Sequence, residues 1–88
     1  VTYRVSLLPS VVKELRKLDP PSRRRIQAAI ELLAENPRPP AATQLVGGFG
    51  EWRVRSGDFR IIYDIDDGEL TVLVLRTGHR RDVHRHRA

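Results

Sequence analysis

Arg53, Arg55 and Arg60 stand in the stretch EWRVRSGDFR (51–60), separated by Trp52, Val54 and Phe59. A guanidinium stays charged at any ordinary pH, and its planar fork matches two oxygens of a phosphate. Arginines on alternate positions of two short strands therefore suit a phosphate-bearing partner, or charge that develops on a phosphate as it reacts. The segment RTGHRRDVHRHRA (76–88) adds Arg76, Arg80, Arg81 and Arg85, with His79, His84 and His86 among them and only Asp82 opposing. Imidazole, which titrates near about 6.5, can accept or donate a proton at neutral pH. Taken alone, 76–88 is equally consistent with a solvated tail in an arginine-rich chain.

The rest of the composition narrows the setting. The 88 residues carry a net charge of +5, with 40% hydrophobic and 31% charged residues, which suits one small globular domain spanning 1–88. Fourteen of the 16 basic residues are arginine, and the excess suggests a polyanionic partner. The absence of cysteine excludes a disulfide framework and any thiolate metal site. The histidine spacing H-x4-H-x-H follows no established metal pattern, so neither metal nor cofactor is expected. No apolar run approaches the roughly 20 residues of a membrane span, and the expectation is a cytoplasmic protein without membrane contact.

The elements that must position these residues can be read from spacing. TYRVSLL (2–8) alternates as an opening strand. A helix follows from Pro9 with Ser10 as N-cap, and Val11, Val12, Leu15 and Leu18 form its apolar stripe. Asp19-Pro20-Pro21 breaks it and starts a second helix, with Ile26, Ala29, Ile30 and Leu33 on one side and Asn36-Pro37 at its end. Gly47, Gly48 and Gly50 lack the Lys-Ser/Thr and the helix that a phosphate loop needs, and instead shape the approach to a strand. Turns at Ser56-Gly57 and Asp67-Gly68 divide the remainder into strands near 51–56, 58–66 and 69–77. The expected fold is α+β, in the order β-α-α-β-β-β, with a two-helix hairpin on one face of a small antiparallel sheet.

Those turns pair Val54 with Phe59, Arg53 with Arg60, Ile62 with Leu73 and Arg60 with Leu75. Side chains alternate along a strand, and cross-strand partners share a face. Trp52, Val54, Phe59, Ile61 and Tyr63 then seat the helices. Arg53, Arg55 and Arg60 gather on the other face, beside an apolar patch of Ile62, Leu73 and Leu75. Like charges set opposite one another weaken a sheet. An anion site accounts for them better than a solvated face.

The series GFGEWRVRSGDFRIIYDIDDG through LTVLVLRTGHRRDVH, behind a strand, a helical hairpin and an Asn-Pro break, resembles the RelE/ParE toxin superfamily over nearly the whole chain. The resemblance implies the toxin of a type II toxin–antitoxin system, and in its RelE branch a metal-free, ribosome-dependent endoribonuclease that cleaves messenger RNA in the A site. It assigns catalysis to Arg53, Arg55, Arg60 and Arg80. His84 stands where the family commonly has a tyrosine, and takes proton transfer, with Glu51 a distant alternative. Lysines occupy positions 53 and 55 in well-studied members; arginine is a poor proton acceptor, so here that pair supplies charge and position. Arg76, Arg81 and Arg85 are expected to contact RNA. Ile62, Leu73 and Leu75, with an open sheet edge, are the expected landing place for a cognate antitoxin. Two other readings stay open: a ParE-like inhibitor that binds DNA gyrase, and a non-catalytic member acting only as antitoxin-bound co-repressor.

Overall fold

The computed structural model describes residues 1–79. β1 (Arg4–Leu7) leads into α1 (Pro9–Arg16) and α2 (Pro20–Glu35), followed by β2 (Thr43–Gln44), β3 (Trp52–Ser56), β4 (Phe59–Asp66) and β5 (Thr71–His79). The strands form one five-stranded sheet in the order β1-β5-β4-β3-β2. β2 to β5 run antiparallel to their neighbours, but β1 pairs parallel to β5, with Val5 beside Val72 and Leu7 beside Val74. The sheet is therefore mixed rather than antiparallel throughout, and the short β2 is an additional strand.

The helices form where the apolar periodicity and the prolines place them. α1 starts one residue earlier than its expected cap: Pro9 takes the first helical position, where its missing N–H is no loss, and Leu8 is the N-cap without a side-chain bond. The Asp19 carboxylate accepts from the Ser22 N–H and caps α2, which lowers its pKa. α2 ends at Glu35, before Pro37. One face of the sheet and both helices enclose Val11, Leu15, Ile26, Ile30, Leu33, Val54, Ile61, Tyr63, Val72 and Val74. Burying an aliphatic or aromatic side chain of this kind stabilises by about 1.5–3 kcal/mol. Tyr63, fully buried, donates its hydroxyl to the Pro37 carbonyl at 2.7 Å, and burial pushes its pKa up to about 12. Among the described residues no helix is long and apolar enough to cross a membrane.

Both hairpin registers differ from the spacing-based pairing. β3 and β4 join through Gly57-Asp58, so Ser56 faces Phe59, Val54 faces Ile61, Trp52 faces Tyr63, Arg53 faces Ile62 and Arg55 faces Arg60. Gly57, at φ +62°, takes the first loop position, the one that demands a left-handed backbone in a II′-type connection. The expected pairing of Arg53 with Arg60 is thus displaced by two residues. A slip of two preserves every face. The β4–β5 connection uses four residues, 67–70, with Leu70 rather than Gly68 at positive φ. Asp66 holds the Glu69 N–H there, and Asp67 turns away to other partners.

Candidate functional site: an arginine face on the sheet

The pairing of β4 with β5 contains an irregularity that decides on which face Arg76 lies. From Asp66–Thr71 to Tyr63–Val74 the register is even; beyond it Ile62 faces Arg76, Ile61 faces Thr77, Arg60 faces Gly78 and Phe59 faces His79. Leu75 is the extra residue of a β-bulge. Without it, Arg76 would stand opposite Ile61, on the face that carries the helices. With it, Arg76 joins the opposite face. The expected pairs Ile62–Leu73 and Arg60–Leu75 are replaced accordingly, and Leu73 faces Asp64 and Ser6 instead.

Two rows of side chains then run across the outer face. The first is Thr43, Arg53, Ile62 and Arg76; the second is Arg55, Arg60 and Gly78. Neighbours within such a row have Cα atoms about 4.5–5.5 Å apart. Ile62, 8% exposed although it lies outside the core cluster, is flanked by an arginine on each side. Its burial on the outer face is consistent with the apolar stems of long side chains covering it. Arg55 and Arg76 are exposed, Arg53 and Arg60 half-buried. Among the described residues the ion pairs are Lys17 with Glu14 and Arg38 with Asp67; Arg53, Arg55 and Arg76 belong to neither. Gly78 opposite Arg60 leaves that end of the face without a side chain from β5. The arrangement is a strip of positive charge, able to hold a phosphodiester and to stabilise added negative charge on it.

The other site residues divide clearly. His79 shares the helix-side face with Phe59, whose ring it meets edge-on at 5.3 Å, and both line a cleft of about 300 Å³ with Glu14, Leu18 and Thr77. Glu51 serves the loop before β3 and closes it, because its carboxylate accepts from the Phe49 N–H and lies where a side chain on Gly48 would go. Leu73 and Leu75 are half-buried. Arg80, Arg81, His84 and Arg85 lie outside the described residues.

Spacing gave no sign of a second cluster at the far end of the sheet. The Arg38 guanidinium grips Asp67 through two bonds, 2.8 and 3.1 Å, and Tyr3 donates its hydroxyl to the same carboxylate at 2.7 Å. The Arg38 and Tyr3 bonds hold the Asp67 carboxyl down to about 2. The same bond to Asp67 raises the pKa of Tyr3 and of Arg38. Arg38 also lies over the Trp52 ring, 5.5 Å from its centroid.

With this geometry in hand, the relatives are informative. A sequence model of the ParE toxin of type II toxin–antitoxin systems (parDE) matches residues 5–84. Toxin RelG of Mycobacterium tuberculosis is 35% identical, over 94% of this chain and 97% of its own length. The archaeal RelE–RelB complex from Pyrococcus horikoshii contains a chain that superimposes with a TM-score of 0.80 at 29% identity, covering 91% of this chain and 97% of that one. A RelBE toxin–antitoxin complex of Mycobacterium tuberculosis gives 0.79 at 29% identity, covering 91% of this chain and 100% of its counterpart.

Proposed function

The chain belongs to the RelE/ParE superfamily, the toxins of type II toxin–antitoxin systems, and from that premise we propose that it is a ribosome-dependent endoribonuclease that cleaves messenger RNA in the A site. The observation that carries this reading is the gathering of Arg53, Arg55 and Arg60 on one sheet face, joined there by Arg76 through the bulge at Leu75. A set of permanent cations suits a reaction in which charge stabilisation dominates. In that reaction the ribose 2′-oxygen attacks the adjacent phosphorus, the bond from phosphorus to the 5′-oxygen breaks, and a 2′,3′-cyclic phosphate remains. The 2′-hydroxyl proton leaves to a base, and the departing 5′-oxygen gains one. Arg53, Arg55, Arg60 and Arg80 stabilise the doubly negative phosphorane, while Arg76, Arg81 and Arg85 hold flanking phosphates. His84 supplies the proton transfer.

A cognate antitoxin is the partner that supports storage of such an activity. The two solved relatives named above are toxin–antitoxin complexes, and Leu73 and Leu75 on β5, with the edge strands β1 and β2, offer a place for an antitoxin. One observation favours a second reading: the matching sequence model is that of ParE, whose members inhibit DNA gyrase by binding. Primer extension on translating ribosomes, run beside a gyrase supercoiling assay, separates the two. New A-site ends that disappear in Arg53→Ala/Arg55→Ala support the nuclease. Intact message together with blocked supercoiling supports the inhibitor and removes the nuclease.

A further inference from the structure

The sequence RRR (23–25) opens α2, and the sheet site does not use it. Two observations place this segment at the arginine end of the sheet. The Arg25 guanidinium lies against the β3–β4 turn: a Cβ on Gly57 would stand 3.0 Å from its Nη1 and 3.5 Å from its Cδ. Glu14 and Leu18, at the close of α1, line one cleft with Phe59, Thr77 and His79 of the same sheet end. The turn between the helices therefore caps the end of the sheet where Arg55 and Arg60 face one another. Around it stand Lys13, Arg16, Lys17, Arg23, Arg24 and Arg25. Three carboxylates lie near them: Glu14 pairs with Lys17 at 3.8 Å, Asp19 caps α2 and feels the Arg25 charge, and exposed Asp58 follows Gly57 in the turn. Six cations against these three carboxylates leave the hairpin surface net positive, and Arg25 joins it to the glycine turn at the arginine end of the sheet.

We propose that this hairpin surface is a second docking site, for the phosphate backbone of double-helical RNA, contiguous with the sheet site through Arg25. Single strands are held by aromatic side chains on which bases stack. Among the described residues the hairpin surface has none: Phe59 faces the helix-side cleft, and the exposed Phe49 belongs to the loop before β3. Cations without stacking partners fit a duplex, whose bases are hidden and whose phosphates and 2′-hydroxyls are presented by shape. The choice of RNA over DNA rests on the reading proposed above, because the surface runs onto the face assigned to the RNA substrate. Gly57 is integral to the junction. A side chain there would both strain a backbone at φ +62° and displace Arg25.

The test is equilibrium binding of the whole protein to a blunt RNA duplex of about 16 base pairs, the length spanned by double-stranded RNA-binding domains. An RNA single strand and a DNA duplex of equal length serve as comparisons, across a salt series. The double substitution Arg24→Gln/Arg25→Gln keeps good helix formers at exposed positions, so the fold is retained. It is expected to weaken duplex binding about tenfold or more and to lower the salt slope by about two, one for each phosphate no longer neutralised. Gly57→Ala is expected to reproduce part of that loss. An unchanged slope in the double variant overturns the site, whether or not the ribosomal cleavage assay succeeds. Equal or tighter binding of the single strand overturns the duplex assignment, and preference for the DNA duplex overturns the assignment to RNA. Failure of A-site cleavage with duplex binding and slope as expected removes the nuclease reading and leaves this site standing.

Discussion

At the Asp66 end of β4 an arginine is fully engaged: Arg38 grips Asp67 through two bonds, Tyr3 adds a third, and Trp52 lies beneath the guanidinium. At the Phe59 end, Arg55 and Arg60 stand opposite each other, with Arg53 and Arg76 one row away around the buried Ile62. The same side-chain type stands in opposite surroundings at the two ends of one eight-residue strand. Where a carboxylate faces it, Arg38 shares Asp67 with Tyr3, and that carboxylate ties together residue 3, the segment after α2 and the β4–β5 connection. At the other end like charge faces the guanidinium across the strands, Arg55 opposite Arg60, an arrangement that weakens a sheet pair. Arg38 comes with its counter-charge built in, whereas Arg53, Arg55 and Arg76 belong to no ion pair among the described residues.

The sharpest way to break the contrast is to remove charge from the Phe59 end. Arg60→Ala is expected to cost cleavage about 2.7–4 kcal/mol of transition-state stabilisation, by analogy with a lost oxyanion donor, with an unchanged circular dichroism spectrum. Full single-turnover activity in the mutant would remove Arg60 from the site. The His84→Gln variant complements it: the wild-type rate should vary with pH around the imidazole range, and the variant should show a flat profile.

The Asp66 end should respond in stability and not in cleavage. Tyr63→Phe leaves the Pro37 carbonyl without its donor, which costs about 1–3 kcal/mol in urea unfolding. A loss of cleavage larger than that of stability would contradict the division of roles. On the outer face between the two ends, Leu73→Glu sets a carboxylate beside Asp64. It is expected to weaken an antitoxin complex by about 1–2 kcal/mol in calorimetry; unaltered affinity would place the antitoxin elsewhere.

The smallest effect concerns Asp67. Its carboxyl is held at about 2 against an ordinary 3.8, so its contribution is complete above the ordinary value and fades as pH falls toward the folded one. Asp67→Asn should show slightly lower stability at neutral pH and a shallower acid limb between about pH 4 and 2. Because the group is exposed, added salt should shrink the difference.

Helices and faces were legible in the sequence because their signals are local. Val11, Leu15, Ile26, Ile30 and Leu33 repeat at helical spacing, and all are buried. Trp52, Val54, Ile61 and Tyr63 kept their common face even though the turn moved to Gly57-Asp58, since the displacement was even. The bulge at Leu75 was not legible, because Leu75 continues an apolar run and an extra residue leaves no compositional mark. Yet it alone sets the face of Arg76. The partnership of Arg38 with Asp67 spans 29 residues, beyond any periodicity. Pairing of β1 with β5 was equally silent, as alternation says which face a strand buries and nothing of which neighbour it chooses.

That last pairing carries a kinetic consequence. The helical hairpin and the two hairpins of β3, β4 and β5 rest on neighbours close in the chain, and can form while later segments are still being synthesised. β1 cannot. Its hydrogen-bonding partner is β5, and the Tyr3–Asp67 bond that fastens the same corner bridges 64 residues. Contacts of such separation slow folding, because loop closure must precede any reward. The nascent chain therefore carries an unpaired first strand until β5 leaves the exit tunnel, and β5 then has an open edge until β1 reaches it.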